Sequence, residues 1–250
     1  MTPRLPTPRT SYRRAATLVT LTAGVLLLTA CAPWRIWTAA DLAKDAQAYS
    51  ARPEQPTQRL LIVGDSTGVG TGATSPQDSL AGLIGQQHPQ WRIDNLAANG
   101  AKFADVVQQL EGASSGYDMV LVLAGGNDVI RFTSQEALAT QVKQTVAIAQ
   151  RKAQTVVIMP SGNVGHAPFF WPPLSWVMSR RSENLHALVR SATEGGKARY
   201  ISLLKPKEVD PFVTRSDELN AADGLHPSSA GYQEWHRELI RQGGFTPLAQ

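Results

Sequence analysis

Leu61-Ile62-Val63-Gly64-Asp65-Ser66-Thr67 runs an apolar, β-branched stretch into a small-residue turn that carries a serine. Far along the chain, Asp223-Gly224-Leu225-His226-Pro227 places a carboxylate and an imidazole three positions apart. A serine hydroxyl attacks poorly unless a base takes its proton. A neutral imidazole, with an ordinary pKa of about 6.5, suits that work. A carboxylate next to it orients the ring and stabilises its charged form. The spacing therefore supplies the parts of an acyl-transfer centre: Ser66 as nucleophile, His226 as general base and acid, and Asp223 as the orienting acid. The short Asp-x-x-His spacing lets one turn present both groups.

Charge developing on a carbonyl oxygen needs fixed donors. The candidates are the Ser66 N–H, the Gly100 N–H and the Asn127 side-chain amide. Asn99-Gly100 and Gly125-Gly126-Asn127-Asp128 would, taken alone, read as simple turns. Ser66 alone would read as a helix cap, and Asp223 as an Asx-turn residue. Asp65 and Asp128 read as structural carboxylates that accept backbone N–H bonds. His88, His186 and His236 fall in or beside predicted helices and read as surface or packing residues. No histidine pair has zinc-ligand spacing with a matching carboxylate, so neither a metal nor a cofactor is expected.

The elements that must position these groups are legible in the apolar pattern. Leu60–Val63, Met119–Ala124 and Thr155–Met159 are short, nearly continuous apolar runs, as expected of parallel strands buried on both faces. Arg92–Ala97 is a weaker strand, and Ala198–Leu203 is the last. Helical segments fall between and after them, at Leu80–Gln87, Phe103–Leu110, Glu136–Gln150, Ser179–Ser191 and Ala230–Arg241. Alternating strands and helices predict an α/β domain with a mainly parallel sheet covered on both faces. Active sites of open α/β sheets gather at the carboxyl ends of the strands. Ser66, Asn99-Gly100 and Gly125–Asp128 follow the first three strands there, and Asp223 and His226 precede the final helix.

With those residues in place, the sequence resembles the SGNH hydrolase superfamily, also called GDSL-type esterases and lipases. Gly64-Asp65-Ser66-Thr67 resembles its first block, with Thr67 where many members have Leu. Gly100 fits the second, Gly125-Gly126-Asn127-Asp128 the third and Asp223-Gly224-Leu225-His226-Pro227 the last. The resemblance covers residues 60–242. It implies a flavodoxin-like three-layer α/β/α sandwich with a five-stranded, mainly parallel sheet. It also implies Ser66, Gly100, Asn127 and His226 as the four named positions, Asp223 as the triad acid, and a serine on a shallow, open loop. Gly64 and Gly68 do not fit the Gly-x-Ser-x-Gly spacing of a nucleophile elbow. Carboxylesterase, glycan deacetylase, lysophospholipase and thioesterase activities all occur within such a family. A non-catalytic glycan- or lipid-binding protein on the same fold is the alternative. A nucleotide-binding reading lacks both a Gly-x-Gly-x-x-Gly turn and a phosphate-binding Lys after the first strand.

Asn163–Pro173 is Pro-rich and aromatic and follows the fourth strand. Phe169, Phe170 and Trp171 are read as a substrate wall, with core packing and membrane contact as the open alternatives.

The chain opens with Arg4, Arg9, Arg13 and Arg14, followed by an uncharged apolar stretch from Ala15 to Ala30, then Leu28-Thr29-Ala30-Cys31. A basic start, a short apolar core and small residues before a cut are the marks of a signal peptide. Cys31 is the only cysteine. It resembles the lipobox position of bacterial lipoproteins, which implies diacylglyceryl attachment there, removal of residues 1–30 and export to the cell envelope; an uncleaved N-terminal membrane helix, or a chance Cys in an ordinary signal peptide, is the alternative. Residues 31–58, with Pro33, Pro53 and Pro56, are expected to be a tether with one short helix near Ala39–Ala48, its Trp34, Ile36 and Trp37 packing on the domain or lying at a bilayer interface, and residues 59–250 the single domain. The formal charge of +4 resides in the leader, which holds four arginines and no acid. Residues 31–250 balance at 20 basic and 20 acidic side chains, so no nucleic-acid partner is expected. The expected partners are an ester substrate, which is a small molecule, a lipid or an acylated glycan, and a membrane reached through Cys31, with the protein a monomer.

Overall fold

The computed structural model describes residues 34–195 and 198–246. The leader and Cys31 lie outside the described residues, as does the end of the chain after residue 246. Five strands form one sheet: β1 (Gln58–Gly64), β2 (Trp91–Asn95), β3 (Tyr117–Leu123), β4 (Ala153–Ile158) and β5 (Ala198–Tyr200). Their order is β2-β1-β3-β4-β5, and every pairing is parallel.

Side chains alternate across the sheet. Leu61, Val63, Val120 and Val122 face one core, beneath α4 (Phe103–Gly112), α6 (Gln135–Lys152) and α7 (Leu174–Thr193). Leu60, Ile62, Met119 and Leu121 face the other, beneath α3 (Leu80–Gln87) and α10 (Ser229–Arg241). These strands are apolar without alternation because both faces are buried. The result is the three-layer α/β/α sandwich expected. The chain leaves β1 over one face through α3 and leaves β2 over the other through α4. That opens a crevice at the carboxyl ends of β1 and β3, the switch point where such folds bind ligands.

Two expectations need correction. Only Ala198–Tyr200 of the last strand is regular, although Ile201 still donates its N–H to the Ile158 carbonyl at 2.9 Å. Residues 34–58, expected as a tether, lie against the domain. A helix, α1, occupies residues 34–45. The Ala43 carbonyl accepts the Asn99 side-chain amide at 2.6 Å, and Ala51 bridges antiparallel to Ile93 on the open edge of β2. The Tyr49 ring fills the space above Gly85, where a Cβ would meet it at 2.6 Å. Among the described residues no helix is long and apolar enough to cross a membrane.

Candidate active site

The nucleophile candidate sits on a short, tightly fixed turn. Gly64 ends β1 at φ +148°, where a Cβ would lie 1.9 Å from the Leu123 carbonyl oxygen, so only glycine fits between the two central strands. Gln109 on α4 clamps this residue with both ends of its amide. Its Oε1 accepts the Gly64 N–H at 2.8 Å, and its Nε2 donates to the Gly64 carbonyl at 2.9 Å. The chain then enters a one-turn helix, α2 (Ser66–Val69), with Ser66 at its first position. Asp65 caps that helix, accepting the Thr67 N–H at 2.9 Å and the Thr67 hydroxyl at 2.7 Å. Asp65 therefore has the structural part expected of it. Burial pushes its carboxyl up to about 6 despite both Thr67 bonds and the nearby His226.

His226 and Asp223 reach Ser66 from the loop before α10. His226 Nε2 lies 2.9 Å from Ser66 Oγ, and His226 Nδ1 lies 2.5 Å from Asp223 Oδ2. The second oxygen of Asp223 accepts the Leu225 and His226 N–H groups at 2.9 and 3.0 Å. Asp223 is completely buried. Burial alone would raise its pKa, but the hydrogen bond and charge of His226, with the two backbone bonds, hold it below the usual carboxylate range. The carboxylate thus stays ionised beside the ring.

Asn127 stands at the start of α5 (Gly126–Ile130), which opens at Gly125 with φ +114°. Asp128, buried and raised in pKa chiefly by that burial, accepts the Phe103 N–H at 3.0 Å and so ties α5 to the start of α4. Arg181 on α7 braces the same helix by donating to the carbonyls of Asp128, Val129 and Thr133. Ser66, Asn127 and His226 line one cavity of about 110 Å³. Gly100 is not among the residues that line it; it sits on the turn after β2 at φ +78°. A Cβ there would come within 3.0 Å of the Arg131 guanidinium.

The cavity walls differ from the expected ones. They come from Ile130, Val164, Leu203, Phe212, Leu225 and Trp235. Phe169, Phe170 and Trp171 do not line it. Phe170 packs on the core beneath α7, with the Phe169 ring edge-on at 4.9 Å, and Trp171 is 56% exposed. Trp171 precedes the start of α7 at Leu174 by three residues, outside the packed core that Phe170 joins.

Three fixtures had no sequence signal. Thr71, fully buried, donates its N–H to the Ser66 carbonyl at 2.9 Å and its hydroxyl to Asn99 Oδ1 at 2.7 Å. Its carbonyl accepts the Tyr232 hydroxyl at 2.8 Å. His166 Nδ1 pairs with Asp210 Oδ2 at 2.7 Å beside the cavity. His186, read as a surface or packing residue, is buried between the Tyr200 hydroxyl and the Ser161 carbonyl, and burial pushes its pKa down to about 4. Each joins residues far apart in sequence.

A serine hydroxyl, an imidazole and a carboxylate bonded in series at the carboxyl edge of a parallel sheet form the arrangement of a serine hydrolase. The chain belongs to the GDSL-like lipase/acylhydrolase family, whose model matches residues 62–234. Among solved structures it is similar to a protein from Lactobacillus plantarum, with a TM-score of 0.61 and 15% identity over 77% of this chain and 99% of that one. It is also similar to a member of the lipolytic protein G-D-S-L family from Veillonella parvula, with a TM-score of 0.56 and 14% identity over 75% and 98%. A third is a catalytic mutant of an acetylxylan esterase from Geobacillus stearothermophilus, with a TM-score of 0.53 and 18% identity over 78% and 98%. At these identities the likeness is one of fold. No curated protein matches the chain.

Proposed function

We propose that the protein is a serine esterase that cleaves short acyl esters through an acyl-enzyme at Ser66. The observation that carries this reading is the unbroken series from Ser66 Oγ to His226 Nε2 at 2.9 Å and from His226 Nδ1 to Asp223 at 2.5 Å. His226 takes the Ser66 proton as Oγ attacks the ester carbonyl carbon. The Ser66 N–H, Gly100 N–H and Asn127 amide receive the resulting oxyanion. As the tetrahedral intermediate collapses, the C–O bond to the alcohol breaks and His226 gives that oxygen its proton. Water then attacks the acyl-enzyme, passing a proton to His226. The second collapse releases the acid and returns the proton to Ser66.

The size and lining of the cavity favour a small acyl group. An apolar cavity of about 150 Å³ accommodates benzene, so the 110 Å³ here suits an acyl chain of a few carbons. With the leader and Cys31 read as a lipoprotein signal, the enzyme is exported as an anchored monomer. Its substrates are then acetyl or short acyl esters of envelope lipids or glycans.

The test is hydrolysis of p-nitrophenyl acetate, butyrate and octanoate by the full chain and by Ser66→Ala, with a fluorophosphonate probe alongside. Turnover and labelling that both vanish in Ser66→Ala are expected, with acetate and butyrate preferred. A folded protein that neither turns over nor labels would be a binding module instead.

A further inference from the structure

Large apolar side chains are exposed at eleven described positions, and eight of these fall on the start of α1, the entry to α7 and Phe132 just past α5. The first patch is the opening turn of α1, where Trp34, Ile36 and Trp37 are 63%, 61% and 63% exposed. The second is the entry to α7, where Trp171, Trp176 and Val177 stand out, with Trp176 at 69%. Leu174 lies among them, and Phe132 adjoins through Arg181, whose guanidinium lies 4.9 Å above its ring. The patches are joined. The Arg35 guanidinium donates to the Pro168 carbonyl, which fixes α1 against the segment leading to Trp171. That segment borders the site, because the Phe169 N–H donates to the Gly224 carbonyl at 2.9 Å, two residues before His226. Phe132, two residues past α5, flanks the helix that carries Asn127 and the cavity residue Ile130.

We propose that this aromatic face seats the enzyme on a lipid bilayer, with the cavity mouth beside the surface. The proposal rests on the anchoring at Cys31 read above. Trp34 follows Cys31 by three residues, which span at most roughly 10 Å of extended chain. The uncharged run from Ala15 to Ala30 ends immediately before that cysteine. Whatever holds the start of the chain in a membrane therefore brings Trp34 and Trp37 to the headgroup region. Tryptophan is the residue suited to that region, with an apolar ring and one donor. The outward face of α1 changes along its length in the same sense: Trp34 and Trp37 come first, and Asp41 and Lys44 follow on the side away from the anchor. A substrate ester presented by a membrane lipid or glycan would then enter the cavity without crossing open solvent.

The test uses the full chain isolated from membranes and reconstituted in phosphatidylcholine–phosphatidylglycerol vesicles that contain brominated phosphatidylcholine. Trp176→Cys carries a bimane label on the face. Ile240→Cys carries it on α10, in the opposite layer. Both positions are exposed, so both variants should fold. The label at 176 should lose about half its emission, as expected of a face lying about 5–10 Å into the interface. The label at 240 should be unaffected. Equal emission at both positions, in a chain that floats with the vesicles, would overturn the face and leave the anchor standing. A chain that fails to float would overturn both. Shielding of position 176 from aqueous iodide without bromolipid quenching would mean that a second copy covers the face, and would also overturn the proposal.

Discussion

The Tyr232 hydroxyl donates to the Thr71 carbonyl at 2.8 Å, deep inside the domain. This one bond ties the loop that follows Ser66 to the helix that follows His226. Thr71 also holds the Ser66 carbonyl and the Asn99 side chain, so the Ser66 turn, the Asn99 turn and the helix after His226 share one buried anchor. Tyr232→Phe should leave the Thr71 carbonyl without that donor while keeping the ring. Stability should fall by about 1–3 kcal/mol, the usual cost of such a vacancy. Urea unfolding checks the first effect. Esterase turnover should fall as well, because the distance from Ser66 to His226 is no longer fixed from both sides. A variant as active and stable as the parent would show that the bond fixes nothing.

Asp223 meets His226 twice, through the ring and through the main chain. Asp223→Asn can keep the Leu225 and His226 N–H bonds on its remaining oxygen while losing the charge next to Nδ1. The loop should therefore hold its shape and the rate should drop by roughly a hundred- to ten-thousand-fold, the range attributable to general base work. His226→Ala should cost at least as much. Initial rates on p-nitrophenyl acetate, with circular dichroism to confirm folding, decide this. An Asp223→Asn enzyme at full rate would remove the carboxylate from the mechanism.

Much of this centre was legible because its chemistry is local. Asp223 and His226 share one turn, and Gly64-Asp65-Ser66 ends a strand whose unbroken apolar run could only be buried on both faces. The walls of the cavity were not legible. Leu203, Phe212 and Trp235 come from separate elements and meet only when the fold closes. The Phe169–Trp171 run misled because aromatic composition does not say which way a ring turns: Phe170 went to the core and Trp171 to the surface. Prolines at 33, 53 and 56 mark a tether, but the contacts of Ala43, Tyr49 and Ala51 are tertiary and leave no periodic trace.

Phe212 offers a test of acyl length. Its ring lines the cavity beside Trp235, with centroids 6.1 Å apart. Phe212→Ala should lengthen the space available to the acyl chain. The ratio of kcat/KM for octanoate over butyrate should rise roughly 10-fold, in line with a methylene or two of pocket contact. An unchanged ratio would place the acyl chain elsewhere.

Asp65 makes a prediction about pH. Its carboxyl has a pKa of about 6 in the folded protein against 3.8 as the ordinary value. Between these values the folded state holds a proton that the unfolded chain has released. Stability from this residue is therefore present at low pH and lost as pH rises through 6. Asp65→Asn keeps an oxygen for both Thr67 bonds and cannot ionise. Relative to the parent, it should gain on the order of 2 kcal/mol between about pH 4 and pH 7. His186 titrates in the same window with the opposite sign, since its pKa is lowered to about 4, but it is common to both proteins and cancels in the difference. Urea midpoints across that range give the answer, and a constant difference would refute the assignment.

His166 and Asp210 join two walls of the cavity. His166 lies in the short helical turn after β4, next to the lining residues Val164 and Ala167. Asp210 caps α8 (Pro211–Thr214), accepting the Phe212 N–H at 3.0 Å on the oxygen that His166 does not use. Their side chains are 9% and 6% exposed, so neither finds water readily when its partner is removed. His166→Ala and Asp210→Asn should each cost about 1–3 kcal/mol. The double variant should cost less than the sum, with a coupling of about 0.5–3 kcal/mol. Because the pair sets the spacing of the walls and does not touch the reacting bond, KM for butyrate should rise more than kcat falls. Additive stabilities would mean that the two walls are held independently. A loss confined to kcat would mean that the pair acts on Ser66 or His226 instead.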